Sequence, residues 1–305
     1  MHKNYVGRFA PSPSGQLHFG SLITAVASYL DAKRYDGKWL VRMEDIDEPR
    51  CIEGIDADIL TSLEKHNLLW DDEVIYQSQQ HSRYQDTLDQ LVGQQRAYFC
   101  TCTRKQIKAM GGQYSGVCRD KDYTNSTPDT ALRLKLDATL QGFDDLIMER
   151  FDVATSELKA EDVVLKRRDG LFSYNLVVVL DDVFQKVTHV IRGCDLIDVT
   201  PLQQAVYRAL DFAPVNYGHV PVAAIAPGRK LSKQNRATPI NNETPKENLV
   251  KAMRFLGFSF PDAAEFDSTS ELLQHAVSVW DRKKVVKMPE IIVPQHESTY
   301  YSEPL

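Results

Sequence analysis

Apolar and polar positions follow two rhythms along this chain, and the rhythm changes at prolines and glycines. Tyr5 to Ala10 mixes β-branched and aromatic residues as a strand does, and Pro11, Pro13 and Gly15 then predict a compact loop. A helical period follows, with Leu22, Val26, Tyr29 and Leu30 on one face and Ala25, Ala27 and Ala32 in the turns, and Gly37 closes it. Lys38 to Met43 reads as a buried strand, about Cys51 to Leu63 as a helix ending near Asn67, and Gln80 to Gln94 as a helix with Tyr84, Leu88 and Leu91 on one face.

Further on, Ala131 to Leu136 alternates like a strand, and Leu146 to Val153 is its second pairing candidate. The apolar run Asn175 to Leu180 and the run Val187 to Asp195 read as strands of a resumed α/β pattern. Thr200-Pro-Leu-Gln203, Thr244-Pro-Lys-Glu247 and Ser268-Thr-Ser-Glu271 have the spacing of capping boxes, so each predicts a helix start. Strands alternating with helices predict an α/β fold.

Composition narrows the class. A chain of 305 residues with 43% hydrophobic content can bury one large domain or two. It has no apolar run near the roughly 20 residues of a membrane span, and Met1 to Asn4 lead straight into the first strand without a signal sequence. A cytoplasmic protein is expected. A formal charge of -6 argues against indiscriminate nucleic-acid binding but permits a local basic groove. Lys166-Arg167-Arg168, Arg229 to Arg236 and Arg282-Lys283-Lys284 with Lys287 are candidates, each reading singly as a solvated face.

Three stretches carry chemistry. His18, Gly20 and Ser21 sit where a loop enters a helix: backbone amides and the helix dipole favour an anion there, glycine permits close approach, and the imidazole adds a donor. The same residues also suit a structural turn. Pro227-Gly-Arg-Lys-Leu-Ser-Lys-Gln234 follows the strand-like run Val222 to Ala226 and sets Lys230 and Lys233 three apart, able to neutralise a departing pyrophosphate or simply to form a basic loop. Glu44, Asp45 and Asp47 follow Lys38 to Met43 at its carboxyl end, where open α/β sheets collect ligands, and Asp47 also suits a helix cap ahead of Glu48 and Pro49. In the third stretch, Cys100, Cys102 and Cys118 are three of the five cysteines within nineteen positions. Without export signals a disulfide is disfavoured, leaving zinc ligation or packed thiols. No histidine lies between 82 and 188, which leaves Tyr114, four residues before Cys118, as a candidate fourth ligand. A site with four protein ligands is structural, because no position stays open for catalysis. Cys51 and Cys194 read as core residues.

His18-Phe-Gly-Ser21 and Lys230-Leu-Ser-Lys-Gln234 together resemble the two signature motifs of class I aminoacyl-tRNA synthetases, and Arg8-Phe-Ala-Pro-Ser-Pro-Ser-Gly15 resembles the glutamyl branch. Phe19, Ser21, Leu231 and Gln234 depart from the commonest wording but leave His18, Gly20, Ser232 and both lysines in place. The pattern Cys-x-Cys, Tyr-x-x-x-Cys is similar to the zinc-binding insertion of the truncated glutamyl-Q subgroup.

That resemblance, spanning residues 5 to about 290, implies a Rossmann-type parallel sheet split by a zinc insertion, with a small helical C-terminal appendage. The halves of the nucleotide-binding domain are then expected at 1–97 and 166–240, the insertion at 98–165, near the tRNA acceptor end in related enzymes, and the appendage at 241–305. Only 72 residues follow Lys233, room for the appendage but not for an anticodon-binding domain. By carry-over, Arg8, Ala10, Ser12, Glu44, Tyr174 and Arg192 bind L-glutamate, and His18, Gly20, Ser21 and Lys233 bind ATP. Zn²⁺ is structural, on Cys100, Cys102, Tyr114 and Cys118, and Mg²⁺ travels on the phosphates. Arg192 reads alternatively as an ion-pair partner of Asp195 or Asp182, and His219 as structural. The implied reaction is ATP-dependent activation of glutamate and transfer to queuosine in the anticodon of tRNA(Asp), by a monomer. A compact synthetase charging a tRNA 3' end and a non-catalytic tRNA-binding paralogue are the alternatives. Intact His18, Lys230 and Lys233 speak against the latter.

Overall fold

Strand β1 (Val6–Phe9) and strand β2 (Lys38–Met43) lie parallel, Val6 opposite Lys38 and Phe9 opposite Val41, joined through helix α1 (Phe19–Arg34). The computed structural model describes residues 5–136, 140–153, 161–231 and 237–293. Helix α1 is buried well beyond one face: Phe19, Ile23, Ala27, Ser28 and Asp31 are enclosed together with Leu22, Val26 and Leu30, while Tyr29 is only partly covered. A single apolar stripe was the expectation; the helix instead runs between the sheet and the C-terminal segments.

After β2 comes a short 3₁₀ turn, Glu48–Arg50, and helix α2 begins later than its apolar period suggests, at Ile55–Lys65. Asp47 makes no side-chain cap; its carboxylate faces Arg50 at 3.8 Å. Strand β3 (Ile75–Tyr76) adds in parallel to β2, and helix α3 (His81–Gly93) buries Tyr84, Leu88 and Leu91 as the period predicts.

The chain then leaves the parallel sheet. Strand β4 (Ala97–Cys100) leads to helix α4 (Arg104–Ala109), whose first turn is closed by reciprocal bonds between Thr103 and Gln106. Strand β5 (Ala131–Leu134) pairs antiparallel with β4. Strands β6 (Phe143–Asp145) and β7 (Glu149–Phe151) make a separate hairpin, so the candidate pairing segment Leu146 to Val153 begins in its turn and does not pair with β5. Strand β8 (Val163–Lys166) completes the antiparallel sheet on the other edge of β5.

The valine-rich run read as a strand is helix α5 (Tyr174–Phe184). An unbroken apolar run has no period to separate the two states. The local signal that decides is Ser173, whose hydroxyl accepts from the Leu176 N–H at 3.4 Å as an N-cap. Strand β9 (His189–Gly193), helix α6 (Thr200–Ala209) and strand β10 (Asn216–Val220) follow, β10 lying parallel to β9 with His219 opposite Arg192. The two parallel pieces meet where Thr188 N–H donates to the Val6 carbonyl at 2.9 Å and Val6 N–H donates to the Thr188 hydroxyl at 2.9 Å.

Strand β11 (Val222–Ala226) carries strand β12 (Arg229–Lys230) antiparallel on one edge. Helices α7 (Pro245–Phe255) and α8 (Thr269–Val279) then pack on α1, placing Leu249, Met253, Phe255 and Leu272 in one core with Leu22, Val26 and Leu30. Their caps differ from the boxes read in sequence. Thr244 makes no side-chain cap and donates to the Asn241 carbonyl, while Ser268 caps Glu271 N–H but the Glu271 carboxylate accepts from Asp267 N–H. Strand β13 (Glu290–Ile292) pairs parallel with the far edge of β11, so the tail supplies a strand as well as helices. No helix among the described residues is long and apolar enough to cross a membrane.

One buried carboxylate fastens this tail. Asp31 of α1 accepts from the Trp280 indole at 2.9 Å, from Arg282 Nε at 2.7 Å and Nη2 at 2.8 Å, and from the Tyr5 hydroxyl. Arg282 also lies over the Tyr35 ring at 4.7 Å, so the basic run Arg282 to Lys284 is not simply a solvated face. Asp31→Ala strands a buried guanidinium, and a loss of about 3–5 kcal/mol is expected. The urea unfolding midpoint checks it, with Asp31→Asn expected to lose less because it still accepts; equal midpoints for wild type and both variants would show that the tail is held by apolar packing alone.

Candidate functional site

The carboxyl ends of β1, β2 and β9 and the start of α1 open onto one cavity of about 490 Å³. Arg8 and Ala10 approach it from β1 and its end, Ser12 from the proline loop, Glu44 from the end of β2, and Tyr174 from the first turn of α5. Arg192 comes from β9, His18, Gly20 and Ser21 from the start of α1, and Lys230 from β12. Lys233, with Ser232 and Gln234, lies outside the described residues.

At the helix start, His18 takes the N-cap position usually held by Ser, Thr, Asp or Asn. Ser21 N–H donates to its Nδ1 at 3.3 Å and His18 N–H donates to the Ser21 hydroxyl at 2.9 Å. A neutral imidazole bonded this way carries its proton on Nε2. The first turn contains no acidic side chain, so the positive end of the helix is not neutralised locally. Gly20 permits a close approach: a Cβ there would stand 3.1 Å from the His18 ring and 3.3 Å from the Leu231 carbonyl oxygen, so either would have to yield slightly. The lysine loop thus closes directly over the helix start. It is anchored by Gly228 N–H, which donates to the Glu290 carboxylate at 3.0 Å, and by Leu231 N–H, which donates to the Ala223 carbonyl at 2.6 Å. Lys230 Nζ pairs with Asp195 at 2.6 Å.

Two buried arginines are stabilised in different ways. Arg8 Nε lies 3.2 Å from Asp182, which Arg42 also contacts at 2.8 Å; Arg42 lies 3.6 Å from Asp181, and Asp181 accepts in addition from Arg83, Tyr84 and Gln77. Burial by itself opposes these charges. The Arg8 and Arg42 guanidiniums outweigh it at Asp182 and hold that carboxyl below the usual range, while Asp182 keeps Arg8 firmly protonated. Glu44, nearby, is pushed up by burial and only partly pulled back by Arg42 and Arg8. Asp45 turns away to accept from Ser78, and Asp47 faces Arg50 at the rim of the cavity and Arg167 beyond it.

Arg192 has no carboxylate within 4.0 Å among the described residues, so the ion pair with Asp195 or Asp182 does not form. It is 3% exposed. Its Nε donates to His219 Nε2 at 3.1 Å, Nη1 to the Gln203 carbonyl oxygen at 2.8 Å, and Nη2 to the Thr200 hydroxyl at 2.8 Å and the Leu196 carbonyl at 3.2 Å. The guanidinium lies over the Tyr217 ring at 4.6 Å. These four bonds leave one of its five N–H groups for a ligand. Thr200 and Gln203 were read as a capping box; here no side chain caps α6, and both side chains serve Arg192.

His219 is the residue whose part sequence reasoning missed. Its Nδ1 lies 2.5 Å from Asp145, whose carboxylate also accepts from the backbone N–H groups of His219, Ile147 and Met148. That bond holds the ring proton on Nδ1 and leaves Nε2 to accept from Arg192. Burial depresses the pKa of His219, partly offset by Asp145, which keeps the ring neutral beside the guanidinium. The one signal available lay in strand register, His219 opposite Arg192, and only the pairing of β9 with β10 reveals it.

The second cluster lies beyond β4. The sulfur atoms of Cys100, Cys102 and Cys118 are all within 4.8 Å of one another, and Cys102 and Cys118 are 3.6 Å apart. A tetrahedral ion with 2.3 Å bonds to sulfur needs edges of about 3.8 Å, so the three thiols fit a metal such as zinc. Burial, then the neighbouring Cys118 and Cys100, push the Cys102 thiol up to about 12. Burial also acts against the Cys118 thiolate, but bonds from Thr101 N–H, Tyr114 and the other thiols bring it below its ordinary value. Tyr114 is buried against them, its hydroxyl accepting from Cys118 N–H at 3.1 Å and from the Tyr98 hydroxyl at 3.2 Å. Cys194 is buried, whereas Cys51 is half-exposed, its thiol donating to the Asp45 and Asp47 carbonyls.

Residues 5–291 match the family model for the catalytic domain of class I tRNA synthetases (E and Q). The chain is 48% identical over 290 residues to the glutamyl-Q tRNA(Asp) synthetase of Photobacterium profundum, covering 95% of this chain and 93% of that one. It is 45% identical over 305 residues to the protein of the same name from Serratia proteamaculans, covering 100% and 99%. Among solved structures, glutamate-tRNA synthetase from Elizabethkingia anophelis superposes with a TM-score of 0.76 at 24% identity, over 94% of this chain and 67% of that one, a likeness of fold. By its catalytic-domain match and its nearly full-length identity to these relatives, the chain belongs to the glutamyl-Q tRNA(Asp) synthetase family of class I synthetases.

Proposed function

We propose that this chain activates L-glutamate with ATP and transfers the glutamyl group to queuosine in the anticodon of tRNA(Asp), as a monomer in the cytoplasm. The observation that carries the reading is Arg192: a buried cation with no carboxylate within 4.0 Å among the described residues, in the same cavity as a helix start without acidic side chains in its first turn and Lys230. Such a site suits an amino acid whose side chain ends in a carboxylate, set beside a polyphosphate. The acceptor rests on the relatives' shared name and on no residue of the cavity.

In this mechanism Arg192 and Arg8 hold glutamate, with Ala10, Ser12, Glu44 and Tyr174 around it, and His18, Gly20, Ser21 and Lys233 hold ATP with its Mg²⁺. An oxygen of the glutamate α-carboxylate attacks the α-phosphorus, the bond from that phosphorus to the bridging oxygen breaks, and pyrophosphate leaves with the charge that Lys230 and Lys233 offset. A hydroxyl of queuosine then attacks the carbonyl carbon of the adenylate. A carbon–oxygen ester bond forms, the anhydride bond to AMP breaks, and the hydroxyl proton leaves with the AMP phosphate or solvent. Positioning and charge neutralisation suffice, with no side-chain nucleophile. Residues 98–165 act as an insertion between two halves of the nucleotide-binding domain, at 1–97 and 166–240, and 241–305 as a C-terminal appendage. Zinc, held by Cys100, Cys102, Cys118 and Tyr114, contributes fold and no chemistry.

Three measurements test these assignments. Labelled glutamate, ATP and Mg²⁺ are expected to label tRNA(Asp) containing queuosine and neither tRNA(Asp) lacking it nor tRNA(Glu). Label on tRNA(Glu) makes the protein a compact synthetase, and label nowhere with tRNA still bound makes it a binding paralogue. His219→Ala is expected to raise the KM for glutamate by about ten- to a hundredfold, from the loss of roughly 1.5–3 kcal/mol in a charged hydrogen bond, with kcat little changed. His219→Asn should recover part of it, and an unchanged KM would remove the residue from the glutamate site. Metal analysis should find about one zinc per chain, with Cys102→Ser losing it and lowering the melting temperature; full melting stability without zinc would mean packed thiols.

A further inference from the structure

A buried cation without a carboxylate occurs a second time, far from the glutamate cavity. Arg133 of β5 is 5% exposed and, among the described residues, has no carboxylate within 4.0 Å. Its Nη1 donates to the Asp162 carbonyl at 2.7 Å, and its Nε is enclosed without an acceptor. The neighbouring carboxylates are engaged elsewhere. Asp162 accepts from Arg119 Nε at 2.7 Å and from the Tyr98 hydroxyl, and Glu161 accepts from Tyr114 N–H at 2.9 Å.

What Arg133 faces is Tyr114: the guanidinium carbon lies 3.9 Å from the centre of that ring. Strand register accounts for the approach. Tyr98 of β4 is directly opposite Arg133, and Cys100 is directly opposite Ala131. With a side-chain period of two, all four project from one face of the β4–β5 pair. Tyr114 is therefore held on its ring by the cation and at its hydroxyl by Cys118 N–H, with the Tyr98 hydroxyl 3.2 Å away. The same ring packs against the buried Cys100 and Cys118.

Zinc is bound by thiolates, so a loaded site fixes three negative sulfur atoms around a divalent ion. A net negative charge is left in a largely buried place, before Tyr114 adds any. Charge enclosed in this way is costly unless an opposite charge lies near it. We propose that Arg133 is the counter-charge of the metal centre: a positioning residue outside the ligand set that stabilises the loaded site across the Tyr114 ring and sets how tightly zinc is held. The assignment rests on the zinc reading above and adds the residue that balances it. Arginine suits this place better than lysine, because its planar and weakly hydrated head group stacks on an aromatic face.

The experiment measures zinc affinity by competition with a chromophoric chelator, for the full-length wild type, Arg133→Met and Arg133→Lys. The melting temperature of each is taken with zinc and after the metal has been stripped. Arg133→Met should hold zinc about ten- to a hundredfold more weakly, the usual cost of removing an outer partner of a metal site. Arg133→Lys, which keeps the charge, should fall between the two. With zinc bound, Arg133→Met should melt below wild type; stripped of zinc, where the cation has nothing to balance, the difference should shrink or vanish. Zinc held equally by wild type and Arg133→Met, or an equal fall in melting temperature with and without zinc, makes Arg133 a packing residue and overturns this assignment alone. A wild type that takes up no zinc overturns the zinc reading and this assignment with it.

Discussion

Under the function proposed here Arg192 receives a carboxylate from outside and so cannot be given one from inside, yet a buried cation without partners is costly. Arg192 meets both demands. Neutral acceptors from β9's neighbours take four of its N–H groups and Tyr217 covers its face, so the charge is solvated by the protein without being cancelled. Much of the surrounding architecture serves that arrangement. The register of β10 brings His219 opposite it, Asp145 from the β6–β7 hairpin fixes the tautomer of that histidine, and the first turn of α6 presents Thr200 and Gln203. Arg8 is the contrast: its charge is matched by Asp182 within a larger buried network, which makes it a fixed wall of the cavity.

Helix α1 connects this site to the rest of the molecule. Its first turn faces the cavity and its last two turns carry Asp31, the acceptor for Trp280 and Arg282. Sheet on one side and C-terminal helices on the other leave it little freedom to move as a body. The amides at its start are thereby held in place before any phosphate arrives, which is the condition for electrostatic preorganisation.

The parts of the chain that sequence reasoning reached were those where a local rule had no competitor. The strand Lys38 to Met43, the helix around Tyr84, Leu88 and Leu91, and the loop-to-helix junction at His18 all show a clear period or a clear breaker. The grouping of Arg8, Glu44, Tyr174, Arg192 and Lys230 in one cavity follows expectations drawn from motif resemblance, because nothing local joins residues so far apart. Failures came where tertiary structure claimed a side chain first. Thr200 and Gln203 have capping-box spacing, but a buried guanidinium outbids a backbone amide that water could otherwise satisfy. The valine run 175–180 has no period because α5 is buried on more than one side, and Asp31, reading as a polar position on an apolar helix, meets its partners about 250 residues later in the chain.

The pairing of β13 with β11 also sets an order in time. Strand β11 carries the lysine loop on one edge, and its other edge is completed by residues 290–292, while Glu290 itself accepts from Gly228 at the hinge of that loop. Synthesis proceeds from the amino end at about 5–20 residues per second, so the parallel strands and α1 emerge well before these partners exist. The second edge of β11 and the acceptor for the hinge amide of Gly228 are thus supplied by residues made some sixty positions after the loop they support, so that support is added to the lysine side of the cavity later than to its arginine side.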